Sequence, residues 1–138
     1  MFVMNKFLIF VTRSPFDSLN GLTALSFCEA AIELGHEIEQ VFFYQQGVQQ
    51  ANVDIQPATG EKNLLAQWLA FSEQTKTPLN VCVTASIKRG VLSEPDATAM
   101  RLHCNVHCAF NPVGMADYFS ALNTSSSCDP DALICMQF

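Results

Sequence analysis

Basic residues are scarce in this 138-residue chain. Lysine and arginine together number seven against thirteen acidic residues, which leaves a net charge of −6 at pH 7. A surface with so few cations does not displace the counterions of a nucleic-acid backbone, which argues against direct, tight binding of RNA or DNA. Long apolar runs are missing too: none approaches the roughly 18 residues that a membrane-spanning helix needs. We therefore expect a protein with no membrane-spanning segment.

The start of the chain also lacks the marks of a secretory signal. Residues 1–11 carry neither a cationic leader nor a small-residue cleavage site after their apolar stretch. We therefore expect a soluble, cytoplasmic protein. Six cysteines are present, but disulfide frameworks belong to small secreted domains with poor cores, whereas 49% of this chain is hydrophobic. We expect free thiols, one domain over residues 1–138 and no required metal or organic cofactor.

Short apolar runs rich in β-branched and aromatic residues alternate with amphipathic stretches. This order predicts an α/β fold, in which a parallel sheet of about five strands has helices on both faces. We expect the strands at residues 6–12, 37–44, 79–84, about 106–110 and 133–138. The helices are expected from about residue 20 to Gly35, over 63–74, from Ser93 onward, and over about 113–122. Residues 45–60 form a long polar connection, a kind of segment that often carries function or contacts a partner.

Cys82 is the candidate reactive residue. It lies near the carboxyl end of the third expected strand, and open α/β sheets bind ligands just outside that edge. The following residues include Lys88 and Arg89 and could form a turn or short helix whose amide groups, with these two cations, would favour a thiolate. The pattern alone nevertheless favours a buried structural thiol flanked by Val81 and Val83.

A resemblance changes that balance. The segment from Leu79 to Val91, LNVCVTASIKRGV, resembles the cysteine segment of the DsrE/TusD family of sulfur-relay proteins. The likeness spans nearly the whole chain in motif order and is greatest to the TusD branch. It extends to VFFY at residues 41–44, Gly47-Val48, Ala51-Asn52, Asn105, Phe110 and the pair Gln137-Phe138.

The resemblance implies a flavodoxin-like parallel sheet and a sulfurtransferase that carries sulfane sulfur as a persulfide on Cys82. It also implies assembly with homologous subunits in a heterohexamer, an upstream persulfide-donor carrier and a downstream sulfur acceptor protein. We expect the pathway to be 2-thiolation of the tRNA wobble uridine. A DsrE-type role in dissimilatory sulfur oxidation and a non-catalytic scaffold role, with Cys82 in the core, remain open.

Two segments depart from the family pattern. Relatives tend to carry a Gly-Pro turn where this chain has Arg13-Ser14-Pro15. The run His103, Cys104, His107 and Cys108 suggests a zinc site, since each pair of like residues is spaced i, i+4. On a helix, however, the two pairs point about 100° apart. We therefore favour polar and small core residues around a helix end.

The remaining cysteines and cations have simpler interpretations. Cys28 lies on the apolar stripe of the first helix and Cys135 in the last strand, so both are expected in the core. Cys128, in a serine-rich loop, could be an exposed second thiol, but an incidental loop cysteine is the simpler interpretation. Lys88 and Arg89 could activate Cys82, dock an acidic partner, or be a solvated pair.

Overall fold

The computed structural model describes residues 2–123 and 133–138. Within these residues, five strands form one sheet in the order β4-β3-β2-β1-β5, and every neighbouring pair is parallel. The strands are β1 Lys6–Val11, β2 Glu37–Phe43, β3 Leu79–Cys82, β4 Phe110–Val113 and β5 Leu133–Gln137. The predicted α/β class with a parallel sheet is confirmed. The strand order is not flavodoxin's own 2-1-3-4-5, so the likeness to flavodoxin is one of architecture.

Capping residues mark where two of the helices begin or end. Asn63 caps the helix after it by accepting a hydrogen bond from the Ala66 amide at 3.1 Å. Gly35 follows the first helix with φ +87°, a left-handed conformation that glycine adopts without strain. The helices are α1 Asn20–Glu33, α2 Leu64–Thr75, α3 Val83–Lys88, α4 Glu94–Met100 and α5 Met115–Asn123, with a 3₁₀ helix at Gln45–Ala51.

Both faces of the sheet are buried against helices, as alternating side chains of β2 show. Phe42 packs against Tyr118 of α5 with ring centroids 4.9 Å apart, whereas Phe43 packs edge-on against Trp68 of α2 at 5.3 Å. Phe42, Phe43 and Trp68 are fully buried. Each such phenylalanine contributes roughly 1.5–3 kcal/mol by leaving water. A sheet covered on both sides keeps its reactive positions at the strand ends rather than on its faces.

Two predicted strands differ from the structure. The third was expected to run to residue 84, but β3 ends at Cys82 and α3 begins directly at Val83. Val81 and Cys82 already pair with the last residues of β2 and β4, Phe43 and Val113, so a longer strand would have no partners. The fourth was expected near residues 106–110 but lies at Phe110–Val113, where it is an edge strand and therefore accommodates Pro112.

Among the residues that the structure describes, no helix combines the length and the apolar character that crossing a bilayer requires.

Candidate functional site

Cys82 occupies the junction between β3 and α3. It is the last residue of the strand and the residue just before the helix, with extended backbone angles of φ −67° and ψ 120°. Only 3% of its surface is exposed. The expectation that Cys82 lies near the carboxyl end of the third strand is therefore met, and Cys82 lines a cleft at that end.

That opening, the Cys82 cleft, has a volume of about 400 Å³. Tyr44 stands on one wall, where its ring stacks on Phe10 at 5.6 Å between centroids. Arg89 is fixed in place by a hydrogen bond from Nη1 to the Ala85 carbonyl at 3.1 Å. The two cations singled out in the sequence thus lie in the same cleft as the cysteine. The full lining is Tyr44, Gln45, Cys82, Thr84, Ala85, Lys88, Arg89 and Met115.

A second opening, the Arg13 cleft, adjoins the first at the same edge of the sheet. It has a volume of about 410 Å³, and Gln45 and Arg89 line both clefts. Thr12 and Gln137 place it at the carboxyl ends of β1 and β5, where the strand order changes direction. Such points are where open α/β sheets bind ligands. Its lining is Thr12, Arg13, Ser14, Asp17, Ser18, Gln45, Gln46, Arg89 and Gln137.

The 3₁₀ helix begins at Gln45, which lines both clefts, and it depends on Gly47. A Cβ atom at Gly47 would lie 2.1 Å from the carbonyl oxygen of Val11, which cannot move without breaking β1. Glycine is therefore required for the chain to fold back across the end of β1. Gln45, at the start of this turn, has φ +52°, a strained conformation for a residue with a side chain. This fold-back places Gln45 and Gln46 at the cleft rims.

Gln50 positions the loop that carries Arg13, and sequence reasoning missed it. Its side chain is 2% exposed, accepts a hydrogen bond from Trp68 Nε1 at 2.6 Å and donates one to the Arg13 carbonyl at 3.2 Å. Because the oxygen and the nitrogen of this buried amide are both hydrogen-bonded, Gln50 links the loop that carries Arg13 to the core. A glutamine in a polar connection carries no periodic signal that could have marked it.

Asn105 fixes the chain where it leaves α3. Its side chain is buried, with Oδ1 accepting a hydrogen bond from the Leu92 amide at 2.6 Å and Nδ2 donating one to the Gly90 carbonyl at 3.0 Å. The chain directly after Lys88 and Arg89 is therefore anchored. The sequence marked Asn105 only through the family resemblance, without a role.

The segment with two histidines and two cysteines is not a helix end, and the interpretation of its residues as core is wrong. Arg101 ends α4 with φ +57°, and the segment after it is held extended by hydrogen bonds from the Val53 amide to the Asn105 carbonyl and from the His107 amide to the Ala51 carbonyl. Cys104 and Cys108 are exposed. With His107, they line a groove of about 250 Å³.

The zinc hypothesis finds no support in the structure. Across residues 2–123 and 133–138, no three His, Cys, Asp or Glu side chains are arranged to hold a metal ion. His103 instead contacts Asp54, with 2.7 Å between Nε2 and Oδ2. This hydrogen bond lowers the pKa of the Asp54 carboxyl group below its ordinary value.

The other cysteines separate into one buried and one exposed thiol. Cys28 is fully buried, as predicted, and burial raises the pKa of its thiol to about 12. The prediction for Cys135 is wrong: it is exposed because β5 is an edge strand, and its sulfur lies 2.8 Å from the Tyr118 hydroxyl oxygen. The Cys128 interpretation falls outside the described residues.

Comparisons with known proteins agree with this geometry. A model of the DsrE/DsrF-like family matches residues 5–125. Proteins named sulfurtransferase TusD from Salmonella newport (strain SL254) and from Salmonella enteritidis PT4 (strain P125109) are each 33% identical over 125 residues, covering 90% of this chain and 95% of the relative. The crystal structure of the ychN protein from E. coli matches with a TM-score of 0.69 at 15% identity, covering 96% of this chain and all of that one. That last likeness shows the fold alone.

Proposed function

Because the chain belongs to the DsrE/DsrF-like family, we propose that it is a sulfurtransferase that carries sulfane sulfur as a persulfide on Cys82. The observation that carries the proposal is the position of this thiol, at the carboxyl end of a central strand and at the base of a cleft that also contains Lys88 and Arg89. The relatives' shared name, sulfurtransferase TusD, supports a place in a sulfur relay.

The chemistry needs two thiol exchange steps and no cofactor. In the first, the Cys82 thiolate attacks the outer sulfur of a donor persulfide, and the donor leaves as a thiolate. In the second, an acceptor thiolate attacks the outer sulfur on Cys82, which leaves as a thiolate in turn. Lys88 and Arg89 line the cleft that contains this anionic sulfur at every stage, and their positive charges favour it.

The pathway and partners follow from the family. We propose that the sulfur serves 2-thiolation of the tRNA wobble uridine and that the chain assembles with homologous subunits in a heterohexamer. The net charge of −6 suits a protein that meets carrier proteins rather than the tRNA itself. Phe16 and Leu19, on the loop that also carries Arg13, are 62% and 74% exposed, which suits a protein contact at this edge.

A scaffold role is the second candidate, because a thiol only 3% exposed also suits a core residue. In that case Cys82 fills space, and a partner subunit carries the sulfur. A role in dissimilatory sulfur oxidation would use the same carrier chemistry with a different acceptor.

Transfer of labelled sulfur separates the carrier from the scaffold. The full chain, with its partner subunits, is given ³⁵S-persulfidated donor protein and then an acceptor, and label on the acceptor is counted. Cys82→Ser should abolish the transfer, whereas Cys108→Ser, which removes an exposed cysteine outside the cleft, should retain it. Transfer at the native rate through Cys82→Ser would establish the scaffold role. Loss of 2-thiouridine from tRNA on deletion of the gene would identify the thiolation pathway.

A further inference from the structure

Positive charge is concentrated at one corner of an otherwise acidic protein. Three of the seven lysine and arginine residues, Arg13, Lys88 and Arg89, line the two adjoining clefts. Among the described residues, Asp17 is the single acid in either lining. The ion pairs within residues 2–123 and 133–138 are Lys6 with Glu37 and His103 with Asp54, so these three cations have no acidic partner there. Their charge is available to a ligand.

The Arg13 cleft offers hydrogen-bond donors suited to an oxyanion. Ser14 and Ser18 each accept a backbone hydrogen bond on the side-chain oxygen, from Phe16 at 3.1 Å and Asn20 at 3.0 Å. Each hydroxyl group therefore keeps its own proton to donate. Two guanidinium groups and the side-chain amides at the rim add further donors, and guanidinium matches the geometry of carboxylate and sulfonate oxygens.

The two clefts share part of their lining, and one of them contains the cysteine. Gln45 and Arg89 line both, so an anion held by Arg89 lies at the boundary between the Arg13 cleft and the Cys82 cleft. With 3% of its surface exposed, Cys82 is open only to a sulfur donor narrow enough to enter the cleft. A small molecule of a few heavy atoms meets this requirement, as does a persulfide at the tip of a carrier protein's side chain or terminus.

We propose that the Arg13 cleft binds the anionic end of a low-molecular-weight sulfane-sulfur donor, of which thiosulfate is the simplest, and presents its outer sulfur to Cys82. The inference rests on the proposed function, since it requires that Cys82 accept sulfur. It adds a donor of a different class, so that the chain takes up sulfur directly from a small molecule as well as from a carrier protein.

The transfer balances without an oxidant. The Cys82 thiolate forms a bond to the outer sulfur of thiosulfate, the sulfur–sulfur bond of thiosulfate breaks, and sulfite leaves with the electron pair. Three negative charges stand on each side of the reaction. Arg13 and Arg89 hold the sulfonate oxygens of thiosulfate and then of sulfite, and they reduce the repulsion between the thiolate and the dianion. An organic persulfide reacts in the same way and leaves as a thiolate.

The test measures the initial rate of persulfide formation on the Cys82 peptide against the concentration of thiosulfate, using the full chain. Arg13→Gln should raise the half-saturating concentration about tenfold, since it removes a charged hydrogen-bond donor. Gln46→Glu, an exposed change that adds a negative charge to the same cleft, should raise it as well. Arg101→Gln, an exposed arginine that lines neither cleft, is the matched control and should leave it unchanged. A parallel series with glutathione persulfide shows which small anion is preferred.

The last arm of the experiment uses a persulfidated donor protein. It distinguishes failure of this inference from failure of the proposed function. Loading of Cys82 by the protein donor, with no loading by either small donor, would overturn the inference and leave the carrier function standing. Loading by a small donor with the same half-saturating concentration in native, Arg13→Gln and Gln46→Glu chains would also overturn it. Failure of all donors to load Cys82 would overturn both.

Discussion

Replacing Gln50 with alanine should destabilise the protein and release the loop that carries Arg13. The Gln50 side chain is the hydrogen-bond partner of both Trp68 Nε1 and the Arg13 carbonyl. Trp68 is fully buried, so its indole N–H would lose its hydrogen-bond partner inside the core. The carbonyl of Arg13 lies near the surface and is more easily hydrated.

The magnitude follows from two contributions. Leaving the buried N–H of Trp68 unpaired costs about 1–3 kcal/mol. Removal of the Gln50 side chain beyond Cβ leaves a cavity of roughly 50 Å³, which adds about 1 kcal/mol at roughly 24 cal/mol per Å³. The neighbours collapse poorly because Gly21 already packs tightly there: a Cβ at Gly21 would lie 2.6 Å from Gln50 Nε2. We expect about 2–4 kcal/mol in total, or a fall in Tm of about 6–12 °C for a domain of this size.

Thermal unfolding followed by circular dichroism measures this change. Gln46→Ala is the matched control, because Gln46 is exposed on the same 3₁₀ helix and its truncation should shift Tm by less than about 2 °C. An equal Tm for Gln50→Ala and the native chain would refute the assignment of Gln50 as the link between loop and core. A large shift for Gln46→Ala would show instead that the whole 3₁₀ helix is sensitive to truncation.

Three further changes test other parts of the structure. Gly47→Ala should lower Tm by about 10 °C or more or prevent folding, since its Cβ would meet the Val11 carbonyl oxygen at 2.1 Å; an unchanged Tm would contradict this close approach. Iodoacetamide at pH 8 should leave Cys28 unmodified in the native chain and modify it in urea, because Cys28 is buried and its pKa is raised to about 12; labelling of Cys28 in native protein, measured by mass spectrometry, would show that its helix opens. His103→Ala should raise the pKa of Asp54, read by NMR titration of its carboxyl carbon, towards its ordinary value of 3.8. Because the folded pKa of Asp54 is depressed, the stability that Asp54 contributes is present above its unfolded pKa and is lost as the pH falls through the folded pKa. Identical Asp54 titration curves in the native and His103→Ala chains would exclude the His103 contact as the cause of the shift.

The sheet and most helices could be predicted because their signals are local. β1 and β5 are mostly apolar runs, and β2 ends in the apolar residues 41–43. Asn63 and Gly35 mark helix ends with cap chemistry that depends only on neighbouring residues. Cys82 could be assigned to the carboxyl end of a strand for the same reason. Its interpretation as a reactive residue came from the family resemblance, because pattern alone favoured a buried thiol.

The errors share one cause. Where local propensity is compatible with more than one structure, strand pairing and other long-range contacts decide between them. β-Branched Val83 and Thr84 favour a strand, yet the neighbouring strands end beside Val81 and Cys82. Cys135 was placed in the core because central and edge strands look alike in a short apolar run, and only the sheet order distinguishes them. The His103–Cys108 segment was interpreted as polar and small core residues around a helix end, whereas hydrogen bonds at Asn105 and His107 pair it with residues 51–53.

The Arg13 cleft, which we propose binds the sulfur donor, was the part of the site least predictable from the sequence. Arg13 was noted only as a departure from a family turn, and Gln50 carried no signal at all. Their roles depend on which strand ends lie beside one another. The order β4-β3-β2-β1-β5 brings the loop after β1 next to the helix after β3, across the turn at Gln45. No local pattern reports that adjacency.

Site mapping of the persulfide provides the most direct evidence on the role of Cys82. The native chain is loaded with a persulfidated donor protein, all thiols and persulfides are alkylated in urea, and every cysteine peptide is searched by mass spectrometry for one additional, reducible sulfur atom. We predict the added sulfur on the Cys82 peptide, with Cys28, Cys104, Cys108 and Cys135 unchanged, and no added sulfur in Cys82→Ser. An unmodified Cys82 peptide, or added sulfur on an exposed cysteine such as Cys108 at the same yield in Cys82→Ser, would contradict the carrier role of Cys82.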